Sequence, residues 1–236
     1  MTERRLPAPW TTTAATGLAS SHSRAWTWVA AGEVVVAAAA VVADWFIPAV
    51  VLVAMAAVSL MIRRRGPGSL GFHRTAHAWR LTVQMLLFAA VWSLFNIAAL
   101  IPVTNHLSGQ RQDMGAFADL QGNPTLLVVY LVAAWLLAAF TEETAFRGYL
   151  LTRLRDVLGD GRLPVLFAVV LSSLLFGLLH TEQGLVGVTV SALAGVVYAL
   201  LRYRCRTLWA PVLAHGFVDT IGFVWFYLFG PMYGLW

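Results

Sequence analysis

The chain has 236 residues, of which 59% are hydrophobic and 11% are charged. Soluble domains have about 25% charged residues, so this composition excludes an ordinary soluble fold and predicts an all-α, polytopic transmembrane bundle. The net charge of +5 comes from arginine without any lysine. These arginines cluster at predicted helix ends, where membrane topology accounts for them, so they do not indicate a nucleic-acid partner.

Residues 1–24 are polar and rich in Pro, Thr, Ser and Ala, which predicts a disordered cytoplasmic tail. Residues 25–236 are predicted to form a single transmembrane helical domain, since each span needs about 20 mostly apolar residues. An eighth helix at the membrane interface is compatible with the pattern. The seven predicted spans are Ala25 to Ala43, Trp45 to Ile62, Trp79 to Ile101, Pro124 to Leu158, Leu163 to His180, Gly184 to Leu201 and Leu208 to Phe229.

The arginines also predict the orientation of the spans, because cytoplasmic loops are enriched in positive charge. A cytoplasmic N-terminus places all 16 arginines inside except Arg111, in the polar loop from Pro102 to Asn123, and Arg147, within a span. Seven spans then put Trp236 outside. Exclusive use of arginine, with much alanine and valine, is typical of a high-GC genome, so we expect a multi-pass protein of the bacterial plasma membrane.

Two adjacent glutamates, Glu142 and Glu143, interrupt the apolar run of the fourth span. A charged side chain at bilayer depth costs about 2.5–3.5 kcal/mol or more, so such residues are usually paired or functional. Positions four apart face each other on a helix, which predicts that Glu143 pairs with Arg147. Glu142 projects about 100° away and is free to face a cavity. A purely structural ion pair at a helix end is the alternative.

Two histidines in later spans are candidates for the same pocket. Glu142 and His180 lie at similar distances, about 25–30 Å, from the turn that begins at Gly159, so they can face each other across a hairpin. His215 and Asp219 are four residues apart and lie on one face of the last span. The structural alternatives are a helix cap for His180 and a packing hydrogen bond for His215.

Carboxylates and imidazoles in one pocket suit two kinds of hydrolysis. Glutamate and histidine can act as general base on a water, while a donor opposite stabilises a tetrahedral oxyanion. One Glu, two His and one Asp also form a plausible ligand set for zinc or iron. The residue types alone do not decide whether the attacking water is activated by side chains or bound to a metal. The single Cys205 excludes an internal disulfide.

Three short motifs follow one another along the chain. They are Glu-Glu-x-x-x-Arg at Glu142, Glu143 and Arg147, Phe-x-x-x-His at Phe176 and His180, and His-x-x-x-Asp at His215 and Asp219. Together they resemble the motifs of the CAAX prenyl endopeptidase and bacteriocin-processing (CPBP) family, also called type II CAAX or Abi intramembrane proteases. The resemblance covers a family-like core at residues 141–220.

The resemblance implies an intramembrane protease in which Glu142 with His180 activates the water. His215 with residue 219 would stabilise the oxyanion, and the Glu143–Arg147 pair, supported by the motif phenylalanine, would hold the site together. Asp219 departs from the best-studied eukaryotic relatives, which carry Asn; ionised Asp accepts hydrogen bonds but does not donate them. Family members have been argued to be metal-free and, alternatively, metal-dependent, with the two histidines, Glu142 and Asp219 as the zinc ligands implied here.

We therefore predict an intramembrane endopeptidase that cuts a membrane protein or lipidated peptide and has the lipid bilayer as its other partner. A prenylated CAAX protein is not the expected substrate in a bacterium. Two other classes of function remain open at this point. One is a non-catalytic membrane scaffold or bacteriocin-immunity protein that uses the same polar cluster structurally. The other is an ion-coupled transporter, although its polar residues would be expected along a pathway rather than in three motifs.

Overall fold

The computed structural model describes residues 15–230, and every regular element in that range is a helix. Helices satisfy their own backbone hydrogen bonds, which lets apolar segments lie in lipid. The long helices of this range are α1 (Ala15–Val42), α2 (Pro48–Ile62), α3 (Ala78–Ser108), α4 (Pro124–Leu158), α5 (Arg162–Leu178), α6 (Gly184–Cys205) and α7 (Trp209–Phe229). Short 3-10 helices occur at Pro67–Leu70, Gly115–Leu120 and Thr181–Gln183. The all-α prediction is confirmed for the described residues.

Each predicted span coincides with one of these helices. Within the described residues, α1, α3, α4, α6 and α7 are long and apolar enough to cross a membrane. The other two, α2 and α5, are apolar but have 15 and 17 residues. Seven crossings and a cytoplasmic N-terminus therefore stay predictions. Helix α1 begins at Ala15, earlier than the predicted Ala25, while residues 1–14 of the predicted tail and Trp236 lie outside the described range.

Helix α3 continues to Ser108, so its predicted end at Ile101 is wrong. A π-helical stretch at Asn96–Leu100 precedes the last segment of the helix. Pro102 follows this stretch inside the continuous helix, where its missing N–H removes one intrahelical hydrogen bond, and the irregular turns before it fit a proline at that position.

Helix α4 changes geometry before it reaches the glutamates. It begins as an α-helix capped by the side chain of Asn123, which accepts a hydrogen bond from the Leu126 amide at 3.0 Å. From Ala134 to Leu150 it is π-helical, with wider turns that place residues five apart in hydrogen-bond register. The Thr141 hydroxyl follows that spacing and donates to the Leu136 carbonyl at 2.7 Å. The apolar run predicts an ordinary α-helix here, since hydropathy does not distinguish the two.

The helices pack as a bundle in which α5 contacts α6, α3 contacts α7, and α4 contacts α2 and α7. Close approach of α5 to α6 depends on Gly177, where a Cβ atom would lie 2.6 Å from the carbonyl oxygen of Val188. Phe146 and Leu150 of α4 are fully buried beside Phe176 of α5. Large apolar side chains that remain exposed face outward, as a lipid-facing surface requires.

Hydrogen bonds join the connections at each end of the bundle. At one end, the Thr207 hydroxyl between α6 and α7 donates to the carbonyl of His73, between α2 and α3, at 3.1 Å. At the other end, Gln112 Nε2 donates to Gln183 Oε1 at 2.8 Å, and the Asp113 amide donates to the Gln183 carbonyl at 3.1 Å. The α3–α4 and α5–α6 connections thus form one unit, named here the glutamine clamp.

Candidate active site

Glu143 and Arg147 form the buried ion pair that their spacing predicts. Arg147 Nη1 donates to Glu143 Oε1 at 3.1 Å, and the two side chains are 1% and 0% exposed. Taking two charges out of water is costly, and their attraction offsets that cost only where the surrounding groups hold good geometry. The surroundings of the pair therefore decide how stable the site is.

Aromatic rings from two other helices enclose the Arg147 guanidinium. It lies 3.9 Å from the ring centroid of Phe176 and 5.5 Å from that of Tyr198, within the range of cation–π attraction. Gly195 makes room for it, because a Cβ atom there would be 3.0 Å from Arg147 Nη2. The guanidinium is thus held in one orientation by α4, α5 and α6 together.

The same glutamate also holds His215 of α7. His215 Nδ1 lies 3.0 Å from Glu143 Oε1, the oxygen that accepts from Arg147. An ionised carboxylate accepts hydrogen bonds, so the imidazole donates from Nδ1 and its orientation and tautomer are set by Glu143. Glu143 therefore ties two motifs together, a role that goes beyond the predicted pairing with Arg147.

Two carboxylates approach the other nitrogen of the same ring. Glu142 Oε2 lies 4.0 Å and Asp219 Oδ2 lies 3.5 Å from His215 Nε2. Tyr198 stacks on the imidazole with ring centroids 5.0 Å apart and planes 20° apart, and Phe176 meets it edge-on at 6.1 Å. The first and third motifs thus converge on one imidazole.

His180 reaches the site from the turn after α5, one residue beyond the C-cap. Its Nδ1 lies 3.2 Å from the Phe176 carbonyl, and its ring packs edge-on against Phe176 at 5.2 Å. Among the described side chains, no ion pair or hydrogen bond joins His180 to Glu142; the nearest imidazole contact of Glu142 is with His215. The predicted Glu142–His180 partnership is therefore not a direct contact in this structure.

A cavity of about 250 Å³ connects His180 with His215 and Asp219. Ligand pockets typically start at about 300 Å³, so this space suits a short peptide segment or one large side chain. Its walls are mostly apolar and come from α3, α6 and α7, with Met114 and Phe117 of the α3–α4 connection covering it. Glu142 does not line the cavity, but its Oε2 lies 4.0 Å from Nε2 of His215, which does.

A zinc site formed by Glu142, His180, His215 and Asp219 stays a prediction. Among the described residues, no group of three or more His, Cys, Asp or Glu side chains is arranged to hold a metal ion. Both nitrogens of His215 face carboxylates at 3.0–4.0 Å, an arrangement for proton transfer between side chains. The side chains in place thus offer acid–base chemistry.

Two residues beside the site belong to none of the three motifs. Tyr198 stacks on His215 and lines the cavity, and Arg202 one turn later donates to the backbone carbonyl of Arg147. Arg202 also donates to the Leu70 carbonyl at 3.1 Å. In the sequence, these two residues could have been found as a polar pair spaced i,i+4 on an otherwise apolar span. Topology alone assigns Arg202 to a cytoplasmic loop, whereas its side chain braces the motif helix.

Comparison with known proteins gives one match. Residues 124–221 match the family model described as type II CAAX prenyl endopeptidase Rce1-like. This segment contains all seven predicted site residues, and the match confirms the resemblance drawn from the motifs. No curated protein and no solved structure gives a significant match.

Proposed function

From the match of residues 124–221 to the type II CAAX prenyl endopeptidase family, we propose that this protein is an intramembrane endopeptidase. It hydrolyses a peptide bond of a membrane-associated or lipidated protein or peptide. The observation that carries the proposal is the convergence of Glu142 and Asp219 on Nε2 of His215, beside a cavity inside an apolar helical bundle.

Glu142 is the proposed general base. Its Oε2 atom is buried and makes no hydrogen bond within the described residues, whereas Glu143 Oε1 already accepts from two partners. Glu142 takes a proton from the attacking water, the new C–O bond forms at the substrate carbonyl, and the proton later passes to the departing amine. His180, across the cavity, is proposed to orient that water from its Nε2, since Nδ1 faces a backbone carbonyl.

His215 is the proposed stabiliser of the tetrahedral intermediate. Glu143 accepts from Nδ1, and His215 as an imidazolium carries a second N–H at Nε2, beside Asp219 and Glu142, that donates toward an oxyanion. Ionised Asp219 cannot donate a hydrogen bond, so we assign it the role of holding His215 in place through the 3.5 Å contact. This assignment accounts for an aspartate at a position where relatives carry an amide.

The test compares cleavage of internally quenched peptides, with and without an attached lipid, by protein reconstituted in vesicles. We expect Glu142→Gln and His180→Ala each to lower the rate by about 100-fold or more, the range of general base catalysis. Glu33→Gln is the matched control. Glu33 is also a partly buried carboxylate in a helix, paired with Arg63 at 3.2 Å, but it is remote from the cavity.

Full activity of Glu142→Gln on a peptide that the unmodified protein cleaves would contradict the assignment of the base. Equal losses in Glu142→Gln and Glu33→Gln would indicate that both carboxylates act on the fold alone. The mutants are compared at matched size-exclusion profiles, so that misfolded protein does not enter the comparison.

A further inference from the structure

The two ends of the bundle differ in charge. One end is formed by the connections after α2, α4 and α6, and we call it the arginine end. Its arginines are Arg63, Arg64, Arg65, Arg74, Arg80, Arg153, Arg155, Arg162, Arg202, Arg204 and Arg206. The opposite end is formed by the connections after α1, α3 and α5. There Arg111 is the one arginine of the described residues, against Asp44, Asp113, Asp119 and Glu182.

The cavity lies in the half of the bundle next to the opposite end. Its lining extends from Tyr198 and His215, within α6 and α7, to Gln112, Met114 and Gln183 in the connections of that end. The α3 residues that line it, Trp92 to Ile101, extend from the middle of that helix away from the arginine end. The cavity therefore runs from mid-membrane depth to the glutamine clamp.

Packed side chains separate the cavity from the arginine end. The Arg147 guanidinium, the Phe176 ring and Ala214 are buried beside or below His215. A second cavity does open at the arginine end, lined by Arg74, Trp209 and neighbours, but none of the predicted site residues reaches it. The lining of the candidate active site thus includes residues from the connections of the opposite end and none from the connections of the arginine end.

Cytoplasmic loops are enriched in arginine, which predicts that the arginine end is the cytoplasmic face. We infer that the candidate active site opens to the extracytoplasmic side of the membrane, and that its substrate is a peptide or protein segment exposed on that side. The choice of substrate rests on the proposed protease function; the sidedness does not. A protein lipidated in the cytoplasm would meet the closed, arginine-rich face.

The lining narrows the class of substrate further. Trp92, Ile97 and Phe223 give the cavity an apolar wall, while Gln112 and Gln183 provide amide groups at its entrance. Such a site suits an exported precursor peptide, or the outer flank of a membrane segment, whose apolar side chain enters while its backbone stays near the polar rim.

Labelling of single cysteines tests the sidedness without any need for catalysis. The native chain already carries one cysteine, Cys205, at the arginine end. In a Cys205→Ser background, Gln110→Cys places a thiol at an exposed position of the α3–α4 connection, and Ser191→Cys places one on the cavity wall. Each protein is treated with a membrane-impermeant maleimide in intact cells and again after permeabilisation.

We expect Gln110→Cys and Ser191→Cys to label in intact cells, and native Cys205 to label after permeabilisation only. Labelling of native Cys205 in intact cells would overturn the inference, and this arm needs no substitution that could disturb folding. Labelling of Ser191→Cys from the cytoplasmic side alone would also overturn it. An inactive protease with the expected labelling would refute the proposed function and leave the sidedness established.

The active protein is used to test on which side of the membrane the substrate is cleaved. An internally quenched peptide is added to right-side-out and to inverted vesicles that contain equal amounts of protein. We expect cleavage in right-side-out vesicles, reduced at least about tenfold in inverted ones. Faster cleavage in inverted vesicles would contradict an extracytoplasmic substrate, even where the peptide itself confirms protease activity.

Discussion

A guanidinium that is 1% exposed depends on the few groups around it, and for Arg147 these are Glu143, Phe176 and Tyr198. Removing one partner of a buried pair leaves the other charge without compensation. We therefore expect Arg147→Ala to lower the free energy of unfolding in detergent by about 3–5 kcal/mol, as measured by thermal or denaturant unfolding.

Arg155→Ala is the control for this prediction. Arg155 lies on the same helix and pairs with Asp160, but the two side chains are 34% and 79% exposed. An exposed pair contributes about 0–1 kcal/mol, so the loss should be small. Similar losses in both variants would show that burial of the Glu143–Arg147 pair does not set its contribution.

At this scale the sequence predicts local pairs well and distant ones poorly. The Glu143–Arg147 contact follows from i,i+4 spacing within one helix. The Glu143–His215 contact joins residues 72 apart, and it depends on how α4 crosses α7. The predicted facing of Glu142 and His180 assumes straight helices, whereas α4 is π-helical and His180 lies in a turn beyond α5.

Helix α5 positions the second motif through its close contact with α6. A Cβ atom at Gly177 would lie 2.6 Å from a backbone oxygen and 2.9 Å from Ala192 Cβ, so Gly177→Ala forces the two helices apart. We expect this change to destabilise the fold by about 1–3 kcal/mol, as overpacking does. Activity should also fall, because His180 lies three residues after Gly177 and would shift with the helix.

Gly32→Ala in α1 provides the comparison, because a Cβ atom at Gly32 would meet no heavy atom within 4 Å. Alanine favours helix over glycine by about 1 kcal/mol, so this variant should be neutral or slightly more stable. Equal thermal stability and activity of the two variants would contradict a role for the α5–α6 contact.

The positions of the helices were accessible from hydropathy, since apolar runs in lipid have few alternatives to a helix. The internal geometry of the helices could not be predicted from hydropathy. The π-helical stretches at Asn96–Leu100 and Ala134–Leu150 use the same residue types as an α-helix, and the sequence carries no periodic sign of the wider turns. The end of α3 was misplaced because Pro102 and the polar residues after it are typical of a loop, although the helix continues to Ser108.

For the whole molecule, the choice between metal-free and metal-bound water depends on His215, both of whose ring nitrogens face carboxylates at 3.0–4.0 Å. We expect the purified protein to keep its peptidase activity after incubation with a zinc chelator. Elemental analysis of the active fraction should then find less than one metal per chain. Loss of activity that zinc restores would favour a metal-bound water and would require the four candidate ligands to converge.

Charge asymmetry also belongs to the whole molecule. The sequence predicts which loops carry the arginines, but it does not predict at which depth a cavity opens. The depth of the cavity depends on the packing of α3, α6 and α7 around His215 and on the α3–α4 connection, which also lines it. The combination of both facts, arginines at one end and a cavity lined by connections of the other, requires the assembled bundle.

The glutamine clamp has a consequence for timing. Two hydrogen bonds hold it, and surface connections of this kind move in nanoseconds to microseconds, whereas enzymes typically turn over about 1–10³ times per second. A substrate passing between these two connections would have to break both hydrogen bonds, and motion at those rates would open and reclose the passage many times within one catalytic cycle. Such a rapid pre-equilibrium changes the concentration of substrate needed for half-maximal rate and leaves the maximal rate to the chemistry at His215 and Glu142.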